Sequence, residues 1–416
     1  MIKRILVLAC LFLTFMAQAQ DATSSPYSFY GLGDLKSKGT IENRSMGGLS
    51  IFQDSIHVNL QNPAQYAHLK RTTLATAATF QTSTLKTNEQ KENARRTNID
   101  YLAFGFPMGK FGAGFGIMPY TAVGYQVSAV STGNDVPSRS YEGSGGVNKA
   151  YLGGAYKINK NFSVGAEFNY YFGSIETTSS YGLSDIQYGT QEFNESQASG
   201  SSVNLGLTYT GKINDKIVAM GAFTYSPEGK VKLDNTRQIS TVQVTSAGLV
   251  NTVDKVMVEV PNTDVALPSK ISVGGGFGIP SKWMVGTEFT MSDDSSFGNR
   301  FNDIDNIKFD NGMKYTVGGY YTPNANSYSN YLNLITYRAG FKYEKTGLIV
   351  NTRSIEDVSI SAGMGFPIGG NFSNINLGLE YGKRGTTASG LVQENYLNVS
   401  VGLSFSDRWF VKRKID

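Results

Sequence analysis

The chain has almost no residues suited to enzyme chemistry. Its 416 residues include one cysteine, Cys10, and two histidines, His57 and His68. A hydrolase triad requires histidine beside its nucleophile, and neither histidine lies among the strand-like segments described below. No cluster of His, Cys and Asp has metal-ligand spacing. We therefore expect no enzyme, no catalytic residue, no metal site and no cofactor.

The chain also lacks a strong excess of one charge. It has 37 Lys and Arg against 33 Asp and Glu, a net charge of +4. A nucleic-acid partner is not expected, because such proteins carry a clustered basic face. Asp303, Asp305 and Asp310 share one polar segment that could attract calcium, but a solvated acidic loop is the favoured interpretation.

Long apolar runs are confined to the N-terminus. Lys3 and Arg4 precede the apolar run 5–15, and Ala17-Gln18-Ala19 matches a cleavage site, so residues 1–19 are predicted to be a signal peptide. Cys10 lies within it; a lipoprotein signal is the alternative, but the apolar run before Cys10 would be short. Beyond residue 19 no stretch of about 18 apolar residues predicts a membrane helix. An exported chain of this kind can still span a membrane as a closed β-barrel.

Strict alternation marks the last strand. Its apolar residues share one parity and its small polar residues the other, which places the two sets on opposite faces. In a membrane barrel the first set faces lipid and the second the lumen. A charge at Val401 should therefore cost about 2–4 kcal/mol, and a charge at Ser400 little. The apolar set is Leu397, Val399, Val401, Leu403 and Phe405.

The same alternation recurs along most of the chain, which also contains 47 glycines, 24 tyrosines and 24 phenylalanines. Glycine and aromatic residues are typical of barrels. The pattern predicts an all-β transmembrane antiparallel barrel of about fourteen strands over residues 72–411. The strands are expected to begin near Leu74, Thr97, Phe111, Tyr141, Asn161, Ser201, Lys216, Lys270, Lys282, Lys314, Leu332, Val358, Ser373 and Tyr396.

The predicted connections alternate between short and long. Tight turns, including 369–371, should lie in the periplasm, and long polar loops outside the cell. The long loops are expected near 84–97, 131–141, 178–200, 232–266, 292–311 and 384–394. The basic end 412–416 is predicted to be a periplasmic tail.

Residues 20–71 do not alternate as barrel strands do. They contain several glycines and short apolar pieces such as Leu49 to Phe52. Because a wide barrel leaks unless its lumen is filled, we predict an N-terminal plug in the lumen. A partly disordered periplasmic segment is the alternative, although the segment is not depleted in apolar residues.

The third predicted strand contains Pro119 between Gly116 and Gly124. Proline lacks the ladder donor and is found at bulges, and the glycines would let the strand bend. Such a kink could open a lateral gap from the lumen to the bilayer. A harmless bulge near the rim is an equally acceptable hypothesis.

Several segments resemble the FadL family of outer-membrane long-chain fatty-acid and hydrocarbon transporters. Ser45-Met46-Gly47-Gly48 and Asn62-Pro63-Ala64 are similar to its hatch, and Pro119 with Tyr120 to its kinked third strand. The segment 141–148 and the ending Asp407-Arg408-Trp409-Phe410 resemble the branch of the family that is common in Bacteroidota. The resemblance covers nearly the whole mature chain.

The resemblance implies a multi-pass barrel in the outer membrane of a Gram-negative cell, with a hatch domain at 20–71. Asn62, Pro63, Ala64, Pro119 and Tyr120 would form the ligand and gate residues, with the first three in contact with the kink. Lipid transport would follow: a fatty acid or hydrocarbon is captured outside and released sideways among membrane lipids. The alternative is a non-transporting FadL-like subunit of an outer-membrane secretion or barrel-assembly complex, bound to other outer-membrane proteins.

No obvious apolar capture groove distinguishes these two hypotheses. The best candidate is the segment 244–260, which contains Val253, Val256 and Met257. The same residues could form a β-hairpin extension. The substrate and the complex partners therefore stay open at this stage.

Overall fold

A computed structural model describes residues 23–36, 39–129, 138–183, 186–244, 250–295, 306–327, 330–368 and 373–407. The proposed signal peptide, the basic tail 412–416, the turn 369–371, and Asp303 and Asp305 lie outside the described residues. Within them, no helix has the length and apolar character needed to cross a membrane.

Twenty strands and a few short helices make up the described structure. The strands are β1 Asp34–Leu35, β2 Thr72–Lys86, β3 Lys91–Met108, β4 Phe111–Ala122, β5 Tyr125–Ala129, β6 Ser138–Lys157, β7 Phe162–Gly182, β8 Tyr188–Lys212, β9 Val218–Ser226 and β10 Gly229–Val244. They continue with β11 Val250–Val258, β12 Thr263–Leu267, β13 Ser269–Ile279, β14 Trp283–Asp293, β15 Ile307–Phe309, β16 Gly312–Tyr321, β17 Thr336–Val350, β18 Arg353–Ile368, β19 Ser373–Arg384 and β20 Gln393–Asp407. Helix α1 is Ile41–Arg44, and the 3-10 helices are Pro26–Phe29, Pro63–His68, Tyr331–Leu334 and Ala388–Gly390.

These strands form a closed antiparallel barrel of fourteen strands, which confirms the predicted fold class. Four wall strands are interrupted: β4 continues as β5, β9 as β10, β11 as β12 and β13, and β15 as β16. The barrel closes where β2 pairs with β20, from Thr72 opposite Asp407 to Lys86 opposite Gln393. Strand β1 is not counted, because it belongs to the residues that precede the first wall strand, β2.

The predicted faces of the last strand are confirmed. Val401 is 45% exposed on the outside of the barrel, whereas Ser400 is 4% exposed on the inside. Neighbouring strands repeat the pattern, with Ile360 and Leu379 exposed in the same way. The outer surface therefore carries the apolar belt that a barrel presents to lipid.

A charge on this belt should be strongly destabilising. We expect Val401→Arg to lower the free energy of unfolding by about 2–4 kcal/mol in a bilayer, because arginine would be placed among acyl chains. Ser400 is a poor control, contrary to the expectation above, because its hydroxyl lies 2.7 Å from Thr79 Oγ1 in a packed interior. Thr224→Lys is the better control, since Thr224 lines the lumenal cavity. Urea unfolding from lipid vesicles measures both; equal losses would contradict the assignment of faces.

Three of the predicted long loops, 84–97, 178–200 and 232–266, are wrong in extent, whereas 384–394 connects β19 to β20 as predicted. At 84–97 and 178–200 the strands continue into long hairpins, with β2 ending at Lys86 and β8 beginning at Tyr188. Polar residues at hairpin tips carry no apolar alternation, so the pattern that marks a strand inside the belt is lost outside it. Strand β17 also begins at Thr336 instead of near Leu332, which lies in a 3-10 helix.

The segment 244–260 forms the hairpin extension, one of the two alternatives. Strand β11 pairs with β10, so that Val256 lies opposite Ile239 and Val258 opposite Arg237. Val253, Val256 and Met257 are exposed, Met257 by 65%. Residues 245–249 lie outside the described residues.

Residues 23–71, here called the N-terminal segment, pack against the inner face of the barrel wall. Leu49 and Ile51 lie in one apolar cluster with Ala222 of β9, and Leu32 lies in another with Val231 of β10. All five side chains are buried. The barrel core is therefore formed between this segment and the wall.

Candidate functional site

A cavity of about 370 Å³ lies between the N-terminal segment and the inner wall. It is lined by tyrosines, hydroxyl and amide side chains, and an unusual number of charged groups. Because burying a lone charge is costly, the more buried of these groups are expected to be paired or hydrogen-bonded. The charged lining residues are Asp34, Lys36, Arg44, Asp100, Lys149, Glu167, Lys270, Glu288, Asp294, Lys314, Lys342, Glu344, Lys345, Asp357, Glu380, Arg384 and Glu394.

One ion-pair network joins the N-terminal segment to the last strands. Arg384 places Nη1 2.6 Å from Asp34 Oδ1 and Nη2 3.2 Å from Asp357 Oδ2. Lys342 Nζ then lies 3.3 Å from Asp357 Oδ2 and 3.6 Å from Glu380 Oε1. The network thus connects β1 with β17, β18 and β19.

A second buried group fixes the segment to β6 and β7. The hydroxyl of Tyr66 donates to Glu167 Oε2 at 2.9 Å, and Lys149 Nζ lies 3.3 Å from Glu167 Oε1. On the opposite wall, the backbone N–H and the hydroxyl of Ser50 both donate to Glu288 Oε2 at 2.8 Å. Charge-assisted bonds of this kind are short and directional, so they hold the segment in one position.

His57 lies in a third cluster, near the starts of β17 and β19. Its Nδ1 lies 2.6 Å from Asp54 Oδ2 and its Nε2 3.4 Å from Glu42 Oε1. Burial alone would lower the pKa of His57, but the carboxylates of Asp54 and Glu42 outweigh burial and the nearby Arg338, and raise it. Within the described chain, no group of three His, Cys, Asp or Glu residues could hold a metal ion.

The two histidines should give opposite pH dependences. The raised pKa of His57 means that its ion pairs stabilise the fold below pH 6.5 and are lost as the pH rises through the raised value. Burial first, then Lys157, lowers the pKa of His68 to about 4, so stability should fall as the pH drops from 6.5 toward 4. Urea unfolding at pH 4 to 9 measures both: His57→Gln should remove only the alkaline loss, and His68→Gln only the acidic loss. Unchanged profiles would contradict these assignments.

The barrel wall parts between β3 and β4. The ladder joins them only from Leu102 opposite Ile117 to Met108 opposite Phe111. Beyond Ile117, toward the end of the strand, β4 pairs with β1 of the N-terminal segment, with Thr121 opposite Leu35. The N–H of Lys36 adds a bond to the carbonyl of Tyr120 at 3.0 Å. A strand of the N-terminal segment therefore takes the place of β3 at this seam.

Pro119 and Tyr120 lie at the seam. The register between β4 and β6 shifts between Pro119 and Thr121, so the strand has an irregularity there. Tyr120 is buried, and its ring centroid lies 4.8 Å from that of Tyr171. Both Pro119 and Tyr120 line the cavity.

Asn62, Pro63 and Ala64 lie elsewhere. Asn62 caps the 3-10 helix by accepting from the N–H of Ala64 at 3.0 Å, and its Nδ2 donates to the carbonyl of Leu207 at 3.3 Å. The three residues pack on Gly165 of β7 and on β8.

The expected contact between these residues and the kink is wrong. Pro119 pairs with Asn148 of β6, which in turn pairs with Phe172 of β7. The Asn62–Ala64 segment instead contacts β7 at Gly165, which is seven residues from Phe172. At about 3.3 Å per residue, the separation is roughly 23 Å. The five predicted site residues therefore do not form one site.

Sequence reasoning also missed the residues that dominate the cavity. Asp357 and Arg384 lie opposite each other on the neighbouring strands β18 and β19. Asp34 is 350 positions from Arg384, and only the closed barrel brings it to them. Charges on the inward parity of strands were the available signal, since Lys342 and Glu380 both follow it.

This geometry defines a class: a fourteen-stranded barrel with its N-terminal segment against the inner wall. Among solved structures, the chain is similar to the toluene transporter TbuX of Ralstonia pickettii, with a TM-score of 0.56 and 16% identity over 89% of this chain and 99% of that one. It is also similar to the toluene transporter TodX of Pseudomonas putida, with a TM-score of 0.58 and 15% identity over 90% and 99%. A FadL homologue of Pseudomonas aeruginosa is similar with a TM-score of 0.55 and 13% identity, over 90% of this chain and 98% of that one. The fold is therefore that of FadL-like barrels.

The family model BamG matches residues 1–416, and the chain belongs to the BamG family. No curated protein sequence matches it.

Proposed function

We propose that this protein is a non-transporting FadL-like subunit of an outer-membrane complex for secretion or barrel assembly. The observation that carries the proposal is the charged cavity, in which the N-terminal segment is held by ion pairs and by a hydrogen bond to a buried carboxylate. The family designation BamG also supports a complex. In this proposal residues 1–19 are removed on export, and residues 20–71 form a permanent hatch.

The physical reason is the cost of passing an apolar molecule along this cavity. A hydrocarbon cannot hydrogen-bond, so it would displace hydration from the charged groups without replacing it. Moving the N-terminal segment aside would also separate Asp34 from Arg384 and Arg44 from Asp100. Glu167 would lose the hydroxyl of Tyr66. Hydrogen bonds to charged groups contribute about 1.5–3 kcal/mol each, and several would have to break together.

The test of a complex is gentle purification of the tagged full-length chain from native membranes, followed by mass spectrometry. We expect other outer-membrane proteins at stoichiometric amounts, and the same set after replacement of Pro119 by alanine. Recovery of the chain alone, at the size of a single barrel, would count against the proposal.

Uptake of hydrophobic small molecules with lateral release is the second candidate. It is favoured by the parted seam between β3 and β4, with Pro119 beside the cavity, and by the likeness to barrels described as toluene transporters. In this case a fatty acid or hydrocarbon would pass between β3 and β4 into the bilayer once β1 moves. Pro119 and Tyr120 would border the gate.

A disulfide lock distinguishes the candidates, because the mature chain has no cysteine of its own. Leu35→Cys with Thr121→Cys would join β1 to β4 at residues that are opposite each other. Ser272→Cys with Thr290→Cys is the control, since these hydroxyls lie 2.7 Å apart within a continuous ladder. Transport predicts that only the first lock stops toluene uptake and that a reductant restores it. A structural subunit predicts no effect of either lock.

A further inference from the structure

A recess lies on the outer face of the barrel wall, on the side of the long hairpins. Small residues of β8 form its floor. Two aromatic rings of β7 border it on one side, and charged residues of β10 and β12 border it on the other. It shares no residue with the cavity inside the barrel. The lining residues are Phe168, Tyr170, Ser199, Gly200, Ser201, Lys230, Lys232 and Asp264.

The strand ladder fixes which of these residues face each other. Tyr170 of β7 lies opposite Ser201 of β8, which in turn lies opposite Lys230 of β10. Lys232, two residues nearer the hairpin tip, lies opposite Asp264 of β12. Because neighbouring strands are about 4.8 Å apart, Tyr170 and Lys230 border a gap of roughly 10 Å over the small residues of β8.

The outward residues change from apolar to polar at this level. Val203 and Leu205 of β8 and Tyr225 of β9 are exposed on the outer face. The next outward positions of β8 toward the hairpins are Ser201 and Ser199. A membrane barrel changes in this way where acyl chains give way to head groups, and aromatic rings mark that boundary. The recess therefore lies at head-group level, with its apolar end toward the acyl chains.

The charged groups of the recess carry both signs. Lys232 Nζ lies 2.7 Å from Asp234 Oδ1, in an exposed pair. Among the described residues, no ion pair includes Lys230 or Asp264, so that one ammonium and one carboxylate stay available to a ligand. A simple anion would satisfy only the first, and a simple cation only the second. A head group with a phosphate and a primary amine offers acceptors to Lys230 and donors to Asp264.

We propose that this recess binds one phospholipid whose head group carries both a phosphate and a primary amine. Lys230 binds the phosphate, Asp264 accepts from the amine, and an acyl chain lies over Val203 beside Phe168. A trimethylammonium head group has no N–H to donate to Asp264, and a glycerol head group has no positive charge, so each loses one of the two contacts. The proposal rests on the membrane barrel and depends neither on transport nor on a complex.

The test is native mass spectrometry of the full-length barrel, released from nanodiscs with equal amounts of phosphatidylethanolamine, phosphatidylcholine and phosphatidylglycerol. We expect a single retained lipid, phosphatidylethanolamine. Lys230→Gln should lower its retention about five-fold, the factor that one lysine contributes beside charged lipid. Asp264→Ala should retain phosphatidylethanolamine and phosphatidylcholine equally, because the acceptor that distinguishes the two amines is gone.

Lys383→Gln is the matched control and should leave retention unchanged. Lys383 is also exposed, two residues from the outward Tyr381 on β19, but it lies opposite Val358 and Asn395 and lines no recess. Heat-modifiable migration in gels checks that each variant is a folded barrel; the three substituted residues are exposed, so we expect folding to be kept.

Four results would each overturn the proposal. They are equal retention of the three lipids by the unsubstituted chain, a preference for phosphatidylglycerol, replacement of phosphatidylethanolamine by lipid A added to the same nanodiscs, and the same loss in Lys383→Gln as in Lys230→Gln. If Lys230→Gln does not fold, the ratio of the two amine lipids in Asp264→Ala decides.

Discussion

Replacement of Gly165 by valine is expected to displace the Asn62–Ala64 part of the N-terminal segment from the barrel wall. A Cβ atom at Gly165 would lie 2.5 Å from the backbone nitrogen of Ala64 and 2.6 Å from the carbonyl carbon of Pro63. Backbone cannot yield as a flexible side chain does, so the overpacking should cost about 3 kcal/mol. Urea unfolding measures the loss. Brief trypsin treatment should also cleave the variant within residues 39–71.

Gly154→Val is the matched control. Gly154 lies on the outward parity of β6, and a Cβ there would meet no atom within 4 Å. The same side chain on a neighbouring strand should therefore leave the unfolding free energy and the trypsin pattern unchanged. Similar behaviour of the two variants would mean that the segment does not depend on contact with β7.

Replacement of Glu167 by leucine should be still more damaging. Glu167 accepts from Tyr66 and pairs with Lys149, and both Glu167 and Lys149 are buried. Its loss leaves an ammonium group and a hydroxyl without partners in the interior, at a cost of about 3–5 kcal/mol. Urea unfolding in vesicles at neutral pH is the measurement.

The double variant Glu167→Leu with Lys149→Met tests the cause. Removing both charges should recover much of the lost stability, because no uncompensated ion remains. The exposed pair Lys232–Asp234 provides the control, and Asp234→Ala should have no measurable effect. If the double variant were no more stable than Glu167→Leu alone, the loss would come from packing and not from the buried charge.

The barrel could be predicted from the sequence because its signal is local. Each strand within the belt has apolar and polar residues on opposite parities, and period two assigns both faces without knowledge of the neighbours. Val401 and Ser400 were therefore assigned correctly. The number of strands followed from counting such stretches.

The cavity could not be predicted in the same way, because its geometry depends on register between strands. Pro119 and Asn62 both stand out in the sequence, yet their heights in the barrel are fixed by pairing through β6 and β7. Arg384 meets Asp34 only once the barrel has closed. Hairpins above the belt were also missed, since both faces of those strands meet water and no alternation is required.

The bond between Asp34 and Arg384 joins residues that are 350 positions apart, and the N–H of Gly47 is held by Ser361 Oγ. The N-terminal segment thus finds some of its partners only in the last strands of the chain. Contacts of such long range form slowly, because the intervening chain must be ordered before they can form. Capture of the N-terminal segment and closure of β2 on β20 should therefore be one late assembly event, before which the segment needs protection from proteases and from misplaced pairing.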